Sequence, residues 1–163
     1  MSKQENQENV TDSSTTIDAG ISNYRIMFVD DNEDILRTIK LALEENGFSI
    51  ETYSDPFAAL SFFKTFYDSQ RGTPAQIPFD LLLIDVKMPE LNGIELSKEI
   101  KKLAAEANLT PPPICFITAY DEYYNILKSL FPKNQNIDLC VIHKPIEIED
   151  LTRRLKHEIA LRK

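Results

Sequence analysis

Basic side chains are scarce in this chain: 18 lysines and arginines stand against 26 aspartates and glutamates, a formal charge of -8. That balance argues against a nucleic-acid surface, which normally shows a basic patch or stripe, and points to proteins or cations as partners. Cysteine is equally sparse. The two present, Cys115 and Cys140, sit in apolar runs without metal-ligand spacing. They read as small buried hydrophobes of a reducing cytoplasm, and no disulfide is expected. No stretch approaches the apolar length of a spanning helix, and the N-terminus lacks the charged and apolar regions of a signal peptide. The expectation is therefore a soluble, cytoplasmic protein without membrane insertion. What the chain has in quantity is core material, since 42% of its 163 residues are hydrophobic, enough for one domain.

Residues 1–23, rich in Ser, Thr, Asn, Gln and acidic side chains, carry too little apolar surface to offset the entropy of ordering and predict a disordered tail. The remaining 24–163 predict a single domain. Short β-rich runs alternate there with longer stretches of helical period, the pattern of α/β units around a parallel sheet. "YRIMFVDD" leads into "NEDILRTIKLALEENG", where Ile35, Ile39 and Leu43 share a face and Gly47 supplies the stop. "FSIETYS" alternates as an edge strand does. The helix "SDPFAALSFFKTFYD" follows, with Asp55 as N-cap and Pro56 in its first turn.

"FDLLLIDVKMPELNG" is a continuous apolar run ending on a bare carboxylate, then a proline and an Asn-Gly turn. It reads as a central strand covered on both faces, with Asp85 at its tip. A third helix is expected from about Ile94 to Ala107, then the strand "ICFIT", a short helix "DEYYNILKSLF", the strand "IDLCVIH" and a last helix carrying Ile148, Leu151, Leu155 and Ile159 on one face. The stretches Asp68 to Pro78 and Pro132 to Ile137 read as surface loops. Five strands each followed by a helix predict a doubly wound parallel sheet of order 2-1-3-4-5 with helices on both faces.

Sites in such sheets lie beyond the carboxyl ends of the strands. Asp30 and Asp31 follow strand one, Asp85 ends strand three, Thr118 ends strand four and Lys144 follows strand five. Singly, the two aspartates can cap a helix, Asp85 can open a turn, Thr118 can be an ordinary strand residue and Lys144 a surface lysine. Together, three acids, a hydroxyl and an ammonium on one rim need another reason. Three adjacent carboxylates either take up protons or share a cation, and oxygen-only ligands suit Mg²⁺. Such a set supports phosphoryl transfer to a carboxylate nucleophile, for which Asp85, between the other groups, is the candidate.

The ordered set "VDD" at Val29 to Asp31, "LLLIDVKMPELNGIEL" around Asp85, "FITAY" around Thr118 and "HKP" at His143 to Pro145 resembles the receiver domains of two-component response regulators, the CheY-like superfamily with its flavodoxin-like fold. The likeness runs from about Arg25 to Leu161. It implies a signalling module rather than an enzyme, catalysing only its own phosphorylation and dephosphorylation. Asp85 would accept a phosphoryl group from a sensor histidine kinase or phosphotransfer protein. Asp30, Asp31, Asp85 and the backbone carbonyl of Lys87 would hold Mg²⁺, Lys144 would contact the phosphoryl oxygens, and Thr118 would move toward them. The Lys144–Pro145 bond resembles one that is usually cis.

Val141 stands where many receivers have an aromatic, and Lys87 and Tyr120 flank the rim. His143 and His157 read as structural or exposed. Because the chain ends soon after the fifth helix, the expectation is a stand-alone receiver that relays phosphate or docks on a downstream protein. An interaction module that is never phosphorylated is the alternative. A haloacid-dehalogenase-type phosphatase is disfavoured, because Lys87 stands where that family has its second aspartate.

Overall fold

The computed structural model describes residues 23–70, 77–130 and 140–161. Residues 1–22 of the tail expected over 1–23, residues 71–76 of the first expected loop, all of the second expected loop at 132–137 and the first three residues of the expected strand "IDLCVIH" lie outside the described residues. Among the described residues five strands and five helices alternate. They are β1 (Tyr24–Val29), α1 (Glu33–Glu45), β2 (Phe48–Tyr53), α2 (Pro56–Ser69), β3 (Leu81–Asp85), α3 (Gly93–Glu106), β4 (Ile114–Thr118), α4 (Asp121–Leu130), β5 (Cys140–His143) and α5 (Ile148–Ala160). All pairings are parallel and the order is β2-β1-β3-β4-β5, as the alternation predicts.

The apolar run of β3 is explained by its position. Leu82 and Ile84 face a core layer filled by Phe63 of α2, Leu96 and Ile100 of α3 and Leu127 of α4. Leu81 and Leu83 face the opposite layer, against Leu36 and Leu43 of α1 and Leu151, Leu155 and Ile159 of α5. A strand covered on both faces needs apolar side chains at every position rather than every second one. On α1 the fully buried pair is Leu36 and Leu43, while Ile35 and Ile39 are half-buried at its margin.

The helix ends follow local chemistry. Asn32 caps α1 by accepting from the backbone N–H groups of Asp34 and Ile35, and Gly47 takes φ 85° just past its end. Asp55 caps α2, with Pro56 in its first turn. The expected Asn-Gly turn after Asp85 is instead the start of α3. Asn92 is its N-cap and closes a capping box with Glu95. Gly93 is required there, because a Cβ would fall well inside contact distance of the Asp85 carbonyl oxygen and 2.9 Å from Ile84 Cγ2.

One expectation is overturned. Cys115 and Cys140 form a disulfide, their Cα atoms 4.6 Å apart. The two lie side by side in the β4–β5 register, so both side chains enter the same buried layer. The runs around them read as apolar strands, but nothing local to either run states that these two strands are neighbours or which residues are opposite. The Lys144–Pro145 bond is cis, in line with the resemblance. No helix among the described residues is long and apolar enough to cross a membrane.

Candidate functional site

Parallel pairing sends the ends of β1, β3, β4 and β5 to one edge, and the polar residues met there come from four separate stretches of chain. Asp30 follows β1 directly and is buried; its Oδ1 accepts the Asn32 N–H at 2.9 Å. Asp85 ends β3, also buried. Lys144 follows β5, and its Nζ lies 2.8 Å from Asp30 Oδ2 and 2.8 Å from Asp85 Oδ1. Asp31 is exposed, yet carboxylate oxygens of Asp30, Asp31 and Asp85 all lie within 4.8 Å of one another. The cleft they line has a volume of about 510 Å³ and also takes in Asn32, Lys87 and Tyr120.

Burial pushes the Asp85 carboxyl up to about 6, against the opposing pull of Lys144, while the charges of Asp30 and Asp31 push it further. Burial works against the Lys144 ammonium, but its hydrogen bonds to Asp30 and Asp85 outweigh that and hold it above the usual lysine value. Three carboxylates against one ammonium leave an excess of negative charge in a partly buried site. An all-oxygen donor set with this charge fits a hard divalent cation such as Mg²⁺. The other close group of candidate metal ligands among the described residues, Cys115, Cys140 and Glu158, has its two sulfurs bonded to each other.

Thr118 ends β4 at the same edge, as expected. It is fully buried, and its Oγ1 accepts the Tyr120 N–H at 3.1 Å; Ala119 and Tyr120, which follow it, line the cleft. Its carbonyl accepts the Lys144 N–H at 2.8 Å, which ties the end of β4 to the residue after β5. Lys87 lies on the loop after β3. Its ammonium donates to the Tyr120 hydroxyl at 3.2 Å and sits 4.3 Å from that ring's centroid. Tyr120 holds the Lys87 ammonium above its ordinary value, first through this hydrogen bond.

Asn32 is the cleft residue that sequence reasoning missed, although its place after "VDD" was the available signal. Val141 is half-buried opposite Phe116. His143 is exposed, with Nδ1 3.3 Å from an Asp121 carboxylate oxygen. Together with His157 it borders a groove of about 560 Å³ between β5 and α5, outside the acidic cleft.

Comparison with known proteins adds independent findings. Residues 26–156 match the family model described as response regulator receiver domain. Response regulator ArlR of Staphylococcus epidermidis is 27% identical over 131 residues, 80% of this chain and 50% of that protein. Sensor histidine kinase GacS of Pseudomonas protegens is 32% identical over 96 residues, 59% of this chain and 9% of that protein. The chain thus spans about half the length of the ArlR relative it matches. Among solved structures, the receiver domain of a Francisella response regulator superimposes with TM-score 0.62 at 26% identity, covering 86% of this chain and 100% of that one. Response regulator protein TrrA of Thermotoga maritima, solved in complex with Mg(2+)-BeF, gives TM-score 0.61 at 26% identity over 83% of this chain and 98% of that one.

Proposed function

The chain belongs to the response regulator receiver family, and from that premise we propose that Asp85 is a phosphoryl acceptor. The donor is the phosphohistidine of a sensor kinase or phosphotransfer protein. A carboxylate oxygen of Asp85 forms the new P–O bond as the P–N bond to histidine breaks, and the donor imidazole leaves with the electron pair. Mg²⁺, held by Asp30, Asp31, Asp85 and the Lys87 carbonyl, would supply charge neutralisation at the phosphoryl oxygens. The protein's own residues do the rest. Lys144, already bridging Asp30 and Asp85, stays beside Asp85 and meets the added charge with its ammonium. Thr118 can keep accepting the Tyr120 N–H while its O–H donates to a phosphoryl oxygen, drawing on the loop that leads into α4.

The observation that carries this reading is the Lys144 ammonium at 2.8 Å from both Asp30 and Asp85, beside a third carboxylate. A cation placed against a partly neutralised acceptor is the arrangement phosphoryl transfer needs. Output would be phosphorylation-dependent binding of a downstream protein, or relay of the phosphoryl group, in the cytoplasm and without direct contact to nucleic acid or membrane. The acidic balance of the chain supports that choice of partner.

The test is incubation with acetyl phosphate and Mg²⁺. A single phosphoryl adduct on wild type, lost in Asp85→Asn and on removal of Mg²⁺, is the expected result. No adduct under any condition would leave the unphosphorylated interaction module.

A further inference from the structure

Of the two edge strands, β5 is the one that leads directly into a cleft residue. Among the described residues its ladder runs to β4, from Cys140 to His143. Lys144 comes next, and its backbone N–H donates to the Thr118 carbonyl at 2.8 Å. The place of the ammonium between Asp30 and Asp85 therefore depends on how firmly β5 is held in register on β4. A strand paired on one side opens more readily than one held between two neighbours. The Cys115–Cys140 bond joins the first described rung of this pairing, on the same two strands that lead to Thr118 and Lys144. It lies in the core layer beneath α5.

We infer that Cys115 and Cys140 form a reversible thiol–disulfide site whose oxidation state sets how tightly β5, and with it Lys144, is clamped beside Asp85. The site itself rests on the geometry of β4 and β5; its consequence for phosphoryl chemistry rests on the reading proposed above. The reductant is a dithiol. Its thiolate attacks Cys140 Sγ as β5 opens, expelling Cys115 as a thiolate that takes up a proton. The second thiol of the reductant then resolves the mixed disulfide, leaving two protein thiols and an oxidised, cyclic reductant. Two electrons and two protons pass to the protein, and a disulfide oxidant reverses the exchange.

Two features set the rate of this exchange. Both sulfurs are buried, so exchange proceeds through local opening rather than at the closed surface. A carboxylate oxygen of Glu158 lies within 4.8 Å of both sulfurs, and Arg154 on α5 pairs with this residue at 3.1 Å from Nε to Oε1. Its negative charge disfavours the departing thiolate, which keeps the bond closed until the edge opens. In a cytoplasmic protein a disulfide is more often a redox sensor than a fixed brace.

The experiment uses the full chain, purified without reductant and compared before and after dithiothreitol. Thiols are counted by alkylation and mass spectrometry. Amide hydrogen exchange is followed at Val141 to Lys144, and the affinity for beryllofluoride with Mg²⁺ is measured in both states. Reduction should free two thiols, speed exchange at these amides at least tenfold and weaken beryllofluoride binding at least threefold, all reversed by glutathione disulfide. Cys140→Ser should match the reduced protein and ignore dithiothreitol; if it fails to fold, the wild-type cycle decides alone.

Thiols that stay free in the presence of glutathione disulfide would overturn the inference, as would equal exchange rates in the two states. Equal and tight beryllofluoride binding in both would sink the coupling to Lys144 and leave the receiver reading standing. Failure of both forms to bind beryllofluoride would instead sink that reading, and the amide exchange would then decide the clamp by itself.

Discussion

Lys87 and Tyr120 bridge the mouth of the acidic cleft: the ammonium donates to the phenol at 3.2 Å and lies 4.3 Å from the ring centroid. One residue follows β3 and the other precedes α4, so the pair spans two loops. On the proposed function, this pair stands where it can restrict water approaching a phosphoryl group on Asp85. Lys87→Ala should therefore shorten the lifetime of the acyl phosphate, by roughly threefold, the scale on which one partly exposed hydrogen bond acts. Release of inorganic phosphate from labelled protein measures it. A lifetime unchanged in both Lys87→Ala and Tyr120→Ala would show that the bridge does not restrict water.

Burial disfavours the anionic form of Asp85 more than Lys144 favours it. Its pKa stands at about 6, raised from 3.8, so the folded state binds a proton more tightly than the unfolded chain does. Between those two values the Mg²⁺-free protein should lose stability as pH rises, by up to about 3 kcal/mol in all. Below the window the group is protonated in both states and the loss vanishes. Denaturant melts at pH 4 and pH 7 in the presence of a chelator check the sign, once variants at Asp85 have removed the contribution of other groups.

The same linkage governs the cation. Mg²⁺ competes with the proton on Asp85, so it should raise the melting temperature more at pH 7.5 than at pH 5. Screening by monovalent salt would give a similar gain at both. Scanning calorimetry with Mg²⁺ and with an equal ionic strength of sodium chloride distinguishes the two.

Asp85→Asn removes the buried charge and keeps the shape. At pH 8 without Mg²⁺ the variant should be more stable than wild type, by about 1 to 2 kcal/mol, while taking up no phosphoryl group. Lys144 keeps Asp30 as its partner. A variant less stable than wild type at that pH would mean that the Lys144 contact outweighs the burial of the carboxylate.

Gly93 joins the fold to the site. A Cβ there meets the Asp85 carbonyl and Ile84 Cγ2, and the Gly93 N–H bonds the Val86 carbonyl at 2.9 Å. Gly93→Ala must push α3 away from the end of β3, at a cost of about 2 to 3 kcal/mol. Equilibrium unfolding reads the loss, and acetyl phosphate labelling at a temperature where the variant stays folded should be slower, because Asp85 moves with its own carbonyl.

Much of this was legible in the residues. Leu81 to Ile84 announced a doubly covered strand because no other place in a sheet accepts four consecutive apolar side chains. Asp55 with Pro56 marked a helix start, and "FSIETYS" an edge. The five polar residues at the strand ends could be assembled on paper because topology alone sends parallel strand ends to one side. The Asn92–Gly93 pair misled, since Asn before Gly serves a turn and a helix cap equally well, and only the presence of α3 on the sheet selects the cap.

What the sequence determined by itself was the order of elements, the two apolar layers and the edge on which Asp30, Asp31, Asp85, Thr118 and Lys144 gather, because periodicity and connection rules act locally and add up along the chain. Tertiary structure alone decided that one ammonium serves both Asp30 and Asp85, that the Thr118 hydroxyl turns to the Tyr120 backbone, and that Cys115 meets Cys140. Those are relations between side chains whose separation along the chain says nothing of their distance in space, and they come into being only when the strands take their register.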